Sequence, residues 1–176
     1  MELNKEEVTG ICEEIELQWG YHLLTRAVFY SKFPEKDEYT SPDFYQDRGI
    51  KFHVSLPENK SELFNTASQG IQMWLNQNYV IRLFGILNKK KLLKYGKENK
   101  IDIIVLIDLL RNEIGAHQSG RRVRDRGKLK KATKLINELF DQELDIEDVG
   151  NYLLAVDNVL EPMKNKVTKF IKEFEK

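Results

Sequence analysis

The chain has 176 residues, of which 41% are hydrophobic and 32% charged, enough for one domain with a real core and too little for a comfortable second. Its 28 basic and 28 acidic residues cancel, so no global field draws in nucleic acid, and any such binding must come from local segregation of charge. Four Pro, ten Gly and one cysteine, Cys12, exclude an internal disulfide and point to helical surfaces and a reducing compartment.

The start, MELNKEEVTGICEEIE, is acidic and lacks a long apolar run, which reads as neither a signal nor a transit peptide. No stretch approaches the roughly 20 apolar residues of a membrane span. The expectation is a cytoplasmic protein that does not engage a membrane. Val8, Ile11, Cys12, Ile15, Trp19, Leu23, Ala27 and Tyr30 recur at three- and four-residue steps, which predicts a helix over 4–32, ending before Pro34. Cys12 falls in that register and reads as a packed thiol, while His22 reads as a boundary residue.

Residues 33–57 break the pattern, with Pro34, Pro42 and Pro57 as punctuation. Within them Ile50, Phe52, Val54 and Leu56 alternate with Lys51, His53 and Ser55, the two-residue spacing of a strand. With DFY and QDRG upstream, a small hairpin is expected around residues 43–56. A lone hairpin is marginal in water, so it must lean on the helices or pair with another chain.

A second helix follows Pro57 and runs to about Leu93, its face marked by Leu63, Phe64, Ala67, Ile71, Trp74, Leu75, Ile81 and Phe84. The KYGKENK stretch at 94–100 reads as a turn, with Gly96 as the helix stop. The helix from Ile101 is apolar on several sides and should be central. Leu129, Ala132, Leu135, Ile136, Leu139 and Phe140 share one face of a fourth helix. Asp145, with Asp148 behind it, resembles the N-cap of a fifth that carries Ile146, Val149, Leu153, Val156, Leu160, Val167, Phe170 and Phe174, and that Pro162 should kink or divide. No repeat or low-complexity tract is visible. The fold class is therefore all-α, a single domain over 1–176 built as a bundle of about five helices.

Several chemistries lack their residues. No GxxxxGK[ST] loop is present, and His22, His53, His117 and Cys12 give no paired metal-ligand spacing. Glu13 and Glu16 form a Glu-x-x-Glu pair of the kind a helical nucleotide pyrophosphatase uses for magnesium. The second helix lacks the acidic partner, so the pair reads as a solvated face. No metal and no cofactor is expected.

The stretch RNEIGAH, 111–117, is different. In a regular helix Arg111 and His117 would lie about 120° apart. Gly115 can loosen or end the helix and let the imidazole return towards the guanidinium. Asn112 offers donors and an acceptor for a phosphate or an imidazole. Cations capping a helix C-terminus would account for Arg111 and His117 but not for Asn112.

This pattern, an arginine followed by a polar residue and then a histidine near the end of a central helix, resembles the HEPN superfamily of helical toxin, abortive-infection and CRISPR-type ribonucleases. The resemblance implies a homodimer in which two copies of Arg111, Asn112 and His117 face each other and cut RNA without a metal. The RNA 2′-hydroxyl is then the nucleophile. An imidazole, with a reference pKa of about 6.5, would move protons, and a guanidinium would hold the pentavalent phosphate. Arg121, Arg122, Arg124, Arg126, Lys128, Lys130 and Lys131, against the lone acid Asp125, would then track an RNA backbone. The absence of interleaved aromatics there favours sequence-tolerant binding. A cognate antitoxin or defence partner would be a further expectation. The alternatives are a non-catalytic HEPN-like dimer that binds RNA or nucleotide, and a helical interaction protein without activity.

Overall fold

Asn4 begins the first helix in the way a capping residue should. Its Oδ1 accepts from the Glu7 amide at 2.8 Å while the Glu7 carboxylate accepts from the Asn4 amide at 3.3 Å, satisfying donors on both sides of the helix start. The computed structural model describes residues 2–32, 38–40, 53–55, 60–115, 126–145 and 157–176, with side chains of 2–28, 71–72, 74–112, 127–145 and 158–176. The helices are α1 (Lys5–Lys32), α2 (Lys60–Lys89), α3 (Leu92–Glu98), α4 (Asp102–Gly115), α5 (Arg126–Phe140) and α6 (Leu160–Lys172), the last entered through a 3₁₀ turn at Asp157–Val159. The fold is an all-α bundle with one small β addition.

That addition is an antiparallel pair, β1 (Glu38–Thr40) with β2 (His53–Ser55), in which Tyr39 stands opposite Val54. The second strand lies where alternation predicts it. The first lies upstream of the expected 43–56, and residues 43–45 fall outside the described residues. His53 sits opposite Thr40 in the register.

Helix α4 is the centre of the bundle, packed against α2, α3, α5 and α6. Ile103, Ile104, Leu106, Ile107 and Leu110 are buried along it, in accord with its all-round apolar sequence. Helix α1 packs on α2 and α6, and runs antiparallel to α2: Glu7 pairs with Lys90 near one end, and Trp19 meets Tyr79 further along. The chain ends also meet, through a parallel bridge of Leu3 with Glu175. Lys176 pairs with Glu2 beside it.

Four sequence readings need correction. The buried face of α2 is Leu75, Asn76, Tyr79, Val80, Leu83, Ile86 and Leu87, while Trp74 and Ile81 are exposed. Two apolar arcs share that helix, and the antiparallel packing of α1 selects the arc that holds Tyr79. The 94–100 stretch is helical through Glu98, and Gly96 is buried inside α3. A Cβ on Gly96 would lie 2.6 Å from Ile104, so the glycine permits close packing on α4 and does not stop a helix. The stop comes at Asn99 and Lys100, the latter at φ 54.

Pro162, expected to kink or divide the last helix, occupies the first turn of α6 just after the 3₁₀ turn, where a missing N–H leaves no intrahelical bond unmade. The proposed N-cap role of Asp145 concerns a helix over residues outside the described ones. In α1, the core face passes from Trp19 to His22, which is 6% exposed, and not to Leu23, which is 46% exposed. His22 stacks on Trp19 at 5.3 Å and lies 5.4 Å from the Tyr79 ring. It belongs to the core, not its boundary.

Candidate functional site

The last turn of α4 carries the first half of the candidate site. Arg111 is exposed and Asn112 half-buried, immediately after the fully buried Leu110. The Arg111 guanidinium lies with its Cζ 4.8 Å from the centroid of the Phe84 ring on α2. Its Nη1 donates to Asn112 Oδ1 at 2.9 Å. An aromatic face and an amide oxygen thus fix the plane of the guanidinium without neutralising it. No carboxylate among the described residues pairs with Arg111. Asp108, one turn before it on α4, is held by Lys97 at 2.8 Å.

Helix α4 extends through Gly115. His117 is two positions further on and lies outside the described residues, as do Arg121, Arg122 and Arg124. Arg126 is the first residue of α5, and its side chain is not among those described. Lys128, Lys130 and Lys131 are exposed on the opening turns of α5, so the end of the basic run is helical and not loop. No acid stands in the first turn of α5. Cations there oppose the helix dipole, at a cost of about 0.3–1 kcal/mol each. Further along, Lys130 and Lys134 share an open groove with Glu138, Glu143 and Asp145, whose carboxylates set a boundary to any polyanion path.

Two other titratable groups singled out in the sequence, Glu16 and Cys12, are committed elsewhere. Glu16 accepts from the largely buried Lys164 through both oxygens, at 2.7 and 2.9 Å, beneath Trp19. Among the described residues no group of three His, Cys, Asp or Glu side chains is placed to hold a metal ion. Burial pushes the Cys12 thiol up; Glu16 and Glu175 add to the rise and Lys172 opposes it, so the thiol stays protonated at neutral pH. No helix among the described residues is long and apolar enough to cross a membrane.

Two contributors escaped the sequence reading. Phe84 was legible only as a core residue, because its stack on Arg111 is created by the packing of α2 on α4. Trp74 and Ile81, two turns apart with Asn78 between them, stand exposed on α2, Ile81 one turn from Phe84. Their exposure depends on which arc of the helix the bundle buries. No family model, curated protein or solved structure matches the chain.

Proposed function

We propose that the chain is a metal-independent endoribonuclease of the toxin or phage-defence kind, acting as a homodimer with a composite site of Arg111, Asn112 and His117. The observation that carries the reading is the condition of Arg111. It is exposed at the end of the central helix, oriented by Phe84 and Asn112, and paired with no described acid. A guanidinium used only for stability would ordinarily find a carboxylate. One held flat and left charged suits a phosphate, to which it can donate two parallel hydrogen bonds.

In this reading His117 of one copy takes the proton from the RNA 2′-hydroxyl as the O2′–P bond forms. His117 of the other copy protonates the O5′ as the P–O5′ bond breaks. Each proton transfer contributes about 10²–10⁴ in rate, and Arg111 stabilises the negative charge gathered on the phosphorane. The products are a 2′,3′-cyclic phosphate and a 5′-hydroxyl.

The test is cleavage of single-stranded RNA in EDTA by the parent chain and by Arg111→Ala and His117→Ala, with analysis of product ends. Cleavage that needs magnesium, or a His117→Ala variant as active as the parent, removes this mechanism. A second reading, a non-catalytic RNA-binding dimer, is favoured by the exposed Lys128, Lys130 and Lys131 at the start of α5, which need no histidine to act. RNA binding without cleavage by the parent selects it.

A further inference from the structure

Helix α1 has two apolar faces, and among the described residues the bundle covers only one. Val8, Ile11 and Ile15 point into the core, with Trp19 and His22 continuing that line. On the opposite side Leu17, Tyr21, Leu24 and Val28 are 51%, 54%, 62% and 55% exposed. At about 100° per residue these four fall within a narrow arc centred opposite Ile15. From Leu17 to Ser31 the only charged residue is Arg26, in a chain that is 32% charged. Scattered surface leucines need no explanation, but a continuous uncharged stripe along three turns does.

We propose that this stripe is a self-association surface, on which α1 packs antiparallel against α1 of a second copy. The inference does not rest on the ribonuclease reading. Three features single out a second copy. The first is spacing: positions 17, 21, 24 and 28 follow the 4-3-4 steps of a coiled-coil seam, the pattern that meshes one helix with another of the same kind. Antiparallel alignment about a two-fold axis sets Leu17 against Val28 and Tyr21 against Leu24, so all four residues find apolar partners in one register.

The second is charge. The first half of α1 holds Glu6, Glu7, Glu13, Glu14 and Glu16 against Lys5, and the second half holds Arg26 and Lys32 with no acid. Glu7, Glu14 and Glu16 are already paired with Lys90, Lys89 and Lys164. Glu13 is the acid that flanks the stripe, and the same register places it opposite Lys32 of the second copy. A parallel pair would set like ends together.

The third is Gly20, beside Tyr21 in the middle of the stripe. A Cβ there would meet nothing within 4 Å, so no contact inside the chain requires a glycine. In a helix interior glycine costs about 1 kcal/mol relative to alanine. A glycine beside the seam lets a second backbone come close. Each stripe side chain has roughly 100 Å² left to bury, half of what a large side chain can lose. Four of them with their flanks stay below the roughly 800 Å² per partner of a standard interface. Such an area suits a weak, concentration-dependent contact, not an obligate dimer.

The stripe points away from the core that α4 occupies, so this contact does not bring two copies of Arg111 together. The experiment is sedimentation velocity of the full chain from low to high micromolar concentration, for the parent, Leu24→Glu and Arg111→Ala. The expected result is a concentration-dependent gain in mass in the parent and in Arg111→Ala, to a dimer through the stripe alone and to a larger assembly where the composite site also pairs copies. Leu24→Glu should weaken self-association by at least about tenfold with an unchanged helical signal, because Leu24 is mostly in solvent. A parent that is monomeric throughout, or a Leu24→Glu variant that associates like the parent, overturns the proposal. Orientation is read in a Cys12→Ser background with a short thiol cross-linker. Leu17→Cys mixed with Val28→Cys should cross-link more than either alone, and stronger linking of Leu17→Cys to itself overturns the antiparallel register. RNA cleavage measured on the same variants keeps the two proposals apart: Arg111→Ala should lose cleavage and keep the α1 dimer.

Discussion

Arg111 and Phe84, on helices α4 and α2, form a cation–π pair with the guanidinium carbon 4.8 Å from the ring centroid. The contact is partly exposed, where such pairs contribute about 0.5–1 kcal/mol, too little to hold the bundle together. Its consequence is orientation. Phe84→Leu keeps an apolar side chain against the core but removes the ring face, so unfolding should shift little and, if Arg111 acts as proposed, RNA cleavage should fall by less than in Arg111→Ala. Arg111→Lys should retain the salt dependence of RNA binding and lose cleavage, because an ammonium keeps the charge without the planar fork. A lysine variant that cleaves like the parent would show that charge alone suffices.

The basic run divides into two sets with separate readouts. Lys128, Lys130 and Lys131 are exposed on α5, and Arg121, Arg122 and Arg124 precede that helix. If the arginines contact phosphates, replacing all three with glutamine should reduce the slope of log K against log salt, by about 0.7 per lost contact on single-stranded RNA. Replacing the three lysines tests whether the start of α5 shares the path, and should also stabilise the helix by relieving its dipole. An unchanged slope in both variants would leave the segment as a solvated surface.

Gly96 and Gly10 should respond to alanine in opposite directions. Both lie within helices, where alanine is better than glycine by about 1 kcal/mol. At Gly10 a Cβ meets nothing within 4 Å, so Gly10→Ala should raise the denaturation midpoint. At Gly96 the Cβ would fall 2.6 Å from Ile104, which is fully buried and cannot swing into solvent. Overpacking of this kind costs about 1–3 kcal/mol, so Gly96→Ala should lower the midpoint despite its better helix propensity. Adding Ile104→Val should recover part of the loss.

What the sequence made legible and what it hid follow one physical division. The ends of α1, the central position of α4 and the face of α5 depend on local periodicity and punctuation, and these are written in consecutive residues. The buried arc of α2 is not, because Trp74 with Ile81 and Tyr79 with Leu83 are both valid helical spacings. Only contact with α1 separates them. Gly96 carries the same letter whether it stops a helix or admits Ile104. At the candidate site, RNEIGAH is a local pattern and could be found by spacing, while the brace on Arg111 comes from another helix and could not. The outer stripe of α1 was hidden for a related reason: the same run of apolar residues feeds two faces.

Tyr79 is the position where a single atom can be tested for its cost. It is 3% exposed, and its hydroxyl has no hydrogen-bond partner among the described residues. An unsatisfied buried hydroxyl is unfavourable by about 1–3 kcal/mol, so Tyr79→Phe should stabilise the chain or leave it unchanged at neutral pH. Its ring would keep the contacts with Trp19 and His22. Burial, and secondarily the Glu16 carboxylate, push the phenol well above its ordinary value of 10.0. The sign of the linkage follows. The folded state holds the proton that the unfolded chain releases near pH 10, so the stabilisation is complete below that pH and declines as pH rises towards the folded value. Urea midpoints taken on both sides of pH 10 should therefore fall more steeply for the parent than for Tyr79→Phe, with the two curves diverging only on the alkaline side. A Tyr79→Phe variant that is clearly less stable at neutral pH would show that the hydroxyl is hydrogen-bonded in the folded chain.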